Sequence, residues 1–172
     1  DEEKENLKNI TEAFEDVCVV LNVSNIIDLK WIDEEQFKGH IKSVIIVWQG
    51  GMEGGNAVAD ALSGKATPSG KLPDTVAYDI EDYPANDNFG NELTNLYKED
   101  IYVGYRYFET FAPEKVQFEF GFGLSYTTFD IETVSADADD EKITLEVKVT
   151  NTGDKFSGKE VVQVYYEAPQ GA

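Results

Sequence analysis

Two short apolar runs rich in β-branched residues stand out in the first third of the chain, Val17-Cys18-Val19-Val20-Leu21 and Val44-Ile45-Ile46-Val47-Trp48. The first ends in Asn22-Val23-Ser24-Asn25 and the second in Gly50-Gly51, both turn-forming. Runs of about five apolar residues between turns predict strands buried on both faces, as in a parallel sheet covered by helices. Helical spacing flanks them. Glu5 to Phe14 sets Leu7, Ile10 and Phe14 on one stripe. Asn56 to Leu62 carries Ala57, Val58, Ala61 and Leu62, with Gly64 positioned as a C-cap. Helices alternating with buried strands predict an α/β unit.

Toward the far end the period falls to two. Lys142 to Thr150 alternates strictly, with Ile143, Leu145, Val147 and Val149 on one face, so one face is expected in a core and the other in water. Asn151-Thr152-Gly153-Asp154 follows as a turn, then Glu160 to Glu167 with Val162, Val164 and Tyr166 alternating. Phe129 to Val134 is a third candidate strand. Three strands make an incomplete β-sandwich, since an immunoglobulin-like one needs about seven. Between the two patterns, Asp74 to Phe122 is irregular, and Tyr78 to Asn95 reads as a long surface loop. Eleven aromatic residues fall between Tyr97 and Phe129; rings this dense predict anchors buried in a connector in preference to an open sugar-stacking platform. The expected divisions are 1–76, 77–126 and 127–172.

Composition narrows the function classes. Against 34 acidic residues stand 14 basic ones in 172, a formal charge of −20. Such a surface repels phosphate backbones and anionic lipids, which excludes nucleic acid and membrane as expected partners. No apolar run approaches the roughly 20 residues of a membrane span. One cysteine, Cys18, and one histidine, His40, exclude an intrachain disulfide and a His/Cys metal cluster. No signal peptide is visible, and the opening Asp-Glu-Glu-Lys reads as that of a processed product or excised piece, leaving the compartment of a soluble chain undetermined.

The candidate chemistry is sparse. Gly50-Gly51-Met52-Glu53-Gly54-Gly55 occupies the strand-to-helix position of a phosphate loop, but its spacing matches neither a dinucleotide fingerprint nor a P-loop, so it is read as a tight turn. Glycoside hydrolysis needs a defined pair of carboxylates. Glu53, at a turn, and Glu99-Asp100, before an apolar run, are the carboxylates with a setting that suits a cleft, although helix-end charge or a solvated loop accounts for them as well. His40 follows Lys38-Gly39 and reads as a surface or helix-end residue, with no G-x-S-x-G elbow to serve. The sequons at Asn9 and Asn22 are read as chance matches.

Four blocks in register carry a resemblance. Trp48-Gln49-Gly50-Gly51-Met52-Glu53-Gly54-Gly55-Asn56-Ala57 leads into Thr67-Pro68-Ser69-Gly70-Lys71-Leu72-Pro73. Tyr102-Val103-Gly104-Tyr105-Arg106-Tyr107 comes next, then Phe120-Gly121-Phe122-Gly123-Leu124-Ser125-Tyr126-Thr127-Thr128-Phe129 with Asn151-Thr152-Gly153 beyond it. In this order they resemble the family 3 glycoside hydrolases, the β-glucosidase group, over nearly the whole chain. The resemblance implies the latter part of a three-layer αβα sandwich in 1–76, a loop and aromatic connector in 77–126, and an incomplete fibronectin type III-like sandwich in 127–172. It implies retaining cleavage of terminal β-linked sugars through a covalent glycosyl-enzyme, with an oligosaccharide or aryl β-glycoside as substrate and no metal or organic cofactor. The family's nucleophilic Asp lies on a barrel domain, and its acid/base Glu lies just ahead of the helix placed here at Glu5 to Phe14. Asp1-Glu2-Glu3 does not match that segment, so neither catalytic residue falls on a position of this chain. Lys30 stands before Trp31 where Pro is usual, and the Asn22–Asn25 turn lacks the usual Gly. The chain is thus expected to be a structural piece of such an enzyme, inactive alone, with Trp48 and Glu53 its weak substrate-binding candidates and the enzyme's remaining domains its partners. A non-catalytic carbohydrate-binding or scaffolding module is the alternative.

Overall fold

The computed structural model describes residues 2–167. Strand β1 (Val17–Leu21) pairs in parallel with β2 (Ile41–Ile46), Leu21 lying opposite Ile46, with a register shift between Val17 and Cys18. β1 coincides with the apolar run, and β2 begins three residues earlier than expected and stops before Trp48. The expectation of strands buried on both faces does not hold. Val17 is buried and Val19 and Leu21 half-buried, whereas Cys18 and Val20 are exposed. Among the described residues this sheet has two strands, each an edge, which is too little area to carry a covering layer on both sides.

Helix α1 (Glu2–Ala13) precedes β1, its first turn holding Glu2, Glu3 and Glu5, where negative charge favours the N-terminal dipole. Its buried contact differs from the expected stripe. Ile10 and Phe14 are exposed, and Thr11 is buried, its hydroxyl donating to the Lys8 carbonyl at 2.9 Å. A 3-10 turn, Lys30–Asp33, links β1 to β2; beyond it Phe37 is fully buried and meets Trp31 edge-on at 6.3 Å. His40 is half-buried at the end of the turn that buries Phe37, its N–H donating to the Phe37 carbonyl at 3.1 Å.

Clustering divides the chain into two compact units. Unit 1 comprises Asp1–Val58 and Leu72–Phe120; unit 2 comprises Ala59–Lys71 and Gly121–Ala172. Helix α2 (Gly54–Leu62) contains one of the division points. It ends where expected, with Gly64 at φ 76° and its N–H donating to the Ala61 carbonyl at 3.0 Å.

The core of unit 1 lies around β3 (Val76–Ala77), antiparallel to β4 (Val116–Phe118), and helix α3 (Tyr105–Phe111). Ala77, Phe108 and Ala112 are buried there, with Tyr83, Tyr107 and Val116 packed around them. Ring pairs Tyr83–Phe108 and Tyr107–Phe108 meet edge-on at 5.4 and 5.3 Å. In this part of the aromatic segment the rings are anchors, as expected. The segment Tyr78 to Asn95 is a loop interrupted by 3-10 turns at Ile80–Asp82 and Asn86–Asn88.

Unit 2 is built on the antiparallel hairpin β5 (Phe129–Ala138) and β6 (Ile143–Asn151). Ile131 faces Val149, Thr133 faces Val147, and after a register shift Ala136 faces Leu145 and Ala138 faces Ile143. The extra residue at Val134 keeps the two alanines on the apolar face, where unbroken alternation would have put Ser135 and Asp137 there. That face is open, with Ile131, Ile143 and Val149 exposed, and is not in the core expected for it. The expected strand Glu160–Glu167 is absent among the described residues; its alternating side chains are exposed, and no ladder partner gives the segment strand geometry.

Side-chain hydrogen bonds surround the turn after β6. The Asn151 side chain accepts from the buried Thr127 hydroxyl at 2.6 Å and from the Gly153 N–H at 3.0 Å, and donates to the Phe156 carbonyl at 2.9 Å. A Cβ on Gly153 would sit 2.1 Å from the Thr127 hydroxyl oxygen, and one on Gly123 would sit 2.4 Å from the Gly70 carbonyl oxygen. Gly123 and Gly153 of the sequence blocks thus mark places where other atoms approach within side-chain distance.

Candidate functional site

Ligands of open α/β sheets bind beyond the carboxyl ends of the strands. At the ends of β1 and β2 the chain forms a hollow lined by Val23, Asn25, Ile26, Ile27, Leu29, Ile46, Trp48, Leu72, Asp74 and Val76. It has room for about one water molecule, far less than a monosaccharide occupies. Trp48, two residues past β2, is in the left-handed region, φ 49°, a conformation a bulky side chain rarely adopts.

Two residues later the chain makes its close turn into α2. A Cβ on Gly50 would lie 2.9 Å from the Gly54 Cα, so Gly50 allows the tight turn read from the sequence. Glu53 is exposed, and its carboxylate accepts a hydrogen bond from the Asn56 side-chain amide one turn on. It does not line the hollow. Glu99 and Asp100 sit in a separate tight turn: Asp100 has φ 50° and its N–H donates to the Tyr97 carbonyl, while the Tyr102 N–H donates to the Glu99 carbonyl at 2.7 Å. Of the four candidates, then, Trp48 alone reaches the hollow.

The rim is held by a polar frame. The Tyr83 hydroxyl donates to the Thr75 carbonyl and accepts from the Ala77 N–H, each at 2.9 Å, bracketing Val76. Burial pushes the Tyr83 phenol above its ordinary pKa, with the nearby Asp74 and Asp82 carboxylates adding in the same direction. Gln117 on β4 donates to the Leu29 carbonyl at 3.1 Å and to the Asp33 carboxylate at 2.9 Å, fixing the segment that supplies Leu29. Lys30 pairs with Asp79 at 2.8 Å and is raised in pKa by that hydrogen bond and charge. Sequence reasoning did not single out Asn25, Asp74 or Tyr83. Asn25 was findable, because it closes the turn that follows the predicted parallel strand Val17–Leu21.

Among the described residues no group of three or more His, Cys, Asp or Glu is arranged to hold a metal ion, and no helix is long and apolar enough to cross a membrane. Such a site supplies a largely apolar wall that includes Trp48; among the described residues that line it, Asp74 brings a carboxylate and no second one joins it to act on a glycosidic bond.

Comparison with known proteins places this arrangement. The model of the glycosyl hydrolase family 3 C-terminal domain matches residues 1–105. A β-glucosidase of Ruminococcus albus is 50% identical over 98% of this chain, and β-glucosidase A of Butyrivibrio fibrisolvens is 48% identical over 98%. The chain spans 17% and 22% of the length of those two relatives. Among solved structures, a β-glucosidase from Paenibacillus barengoltzii superposes with a TM-score of 0.87 at 55% identity, covering 91% of this chain and 17% of that one. β-Glucosidase 3B of Thermotoga neapolitana, solved in complex with glucose, gives 0.76 at 38% identity, covering 89% and 22%.

Proposed function

The chain belongs to family 3 of the glycosyl hydrolases, and from that premise we propose that it serves as a structural part of a retaining, exo-acting β-glucosidase that releases terminal β-linked glucose or a related sugar. The observation that carries the reading is near-complete coverage of the chain by β-glucosidases at close to half identity. The catalytic carboxylates belong to other parts of the enzyme, and the partners of this chain are those parts and the glycoside. Within it, 1–76 forms the latter part of an αβα sandwich, 77–126 the connector, and 127–172 the opening of a fibronectin type III-like sandwich. The Trp48 rim contributes one wall near the substrate, with Glu53 ordering the turn behind it.

The test is hydrolysis of a chromogenic aryl β-glucoside by the purified 172-residue chain, with intact mass measured on the same sample. No turnover is expected. Turnover by a chain of verified mass and purity overturns the reading and makes Glu53, Glu99 and Asp100 the carboxylates to replace.

A further inference from the structure

We draw no further inference here: the strongest candidate, the exposed apolar patch of Phe89, Leu93 and Tyr97 on the loop ahead of helix α3, carries nothing because no observation in the structure shows what covers it.

Discussion

The Lys71 ammonium lies 2.9 Å from the Glu160 carboxylate, with both side chains mostly shielded from solvent, and it also donates to the Gly123 carbonyl at 2.8 Å. One cation thereby ties three separate stretches of unit 2. Glu160 additionally accepts from the Val161 N–H at 2.8 Å, and this bond together with Lys71 holds its carboxyl below the ordinary carboxylate range.

A carboxyl lowered on folding contributes stability above its unfolded pKa and loses it as pH falls through the folded value. Wild-type chain is expected to lose stability as pH drops below the usual Glu range, and Glu160→Gln to show a smaller loss there. At neutral pH the same variant strands Lys71 and is expected to cost about 1 kcal/mol. Urea midpoints of both proteins from pH 7 to pH 3 measure this; parallel pH profiles would refute it.

Gly51 and Gly123 form a matched pair. A Cβ on Gly51 meets nothing within 4 Å, whereas on Gly123 it meets the Gly70 carbonyl oxygen. Gly51→Ala is expected within about 0.5 kcal/mol of wild type and Gly123→Ala lower by roughly 1–3 kcal/mol. Thermal unfolding of the two variants side by side gives the comparison.

Removing the Tyr83 hydroxyl leaves the buried Ala77 N–H without its acceptor while the ring keeps its edge contact with Phe108. Tyr83→Phe is expected to cost about 1–3 kcal/mol. Because the folded phenol is raised, the stability it confers is present below the unfolded tyrosine pKa near 10 and lost as pH rises through the folded value. Ultraviolet titration should show one tyrosine ionising late in wild type and absent from the variant.

The open face of the hairpin β5–β6 offers Ile131, Ile143 and Val149 to water. The chain alone is expected to bind an apolar dye and to associate as concentration rises. Ile143→Thr with Val149→Thr keeps the ladder and should reduce both signals, read by dye fluorescence and sedimentation.

Strands with strong local signals were legible in the sequence. Val17–Leu21 declared itself through β-branched residues, and Ile143–Asn151 through strict alternation. β3 and β4 were not, because two- and three-residue strands are too short to show a period and are held by pairing alone. Helix α3 was hidden because rings at Tyr105, Phe108 and Phe111 blend into a segment aromatic throughout. Glu160–Glu167 errs the other way: alternation marks a capacity for pairing, which needs a partner to be realised. The site shows the same limit. Trp48 followed from the family block that it opens, but the hollow around it also takes in Asp74, with Tyr83 bracketing Val76, brought there by packing that no local pattern encodes.

Asn151 commits three hydrogen bonds of its amide to its surroundings, and that gives the turn after β6 a chemical age. Conversion of that amide to a carboxylate, the ordinary slow fate of asparagine, swaps the donor facing the Phe156 carbonyl for a charged oxygen. Attraction at that point becomes repulsion with no change in any other atom. A sample ageing by this route is expected to gain about one dalton as its turn after β6 loses the bond to Phe156.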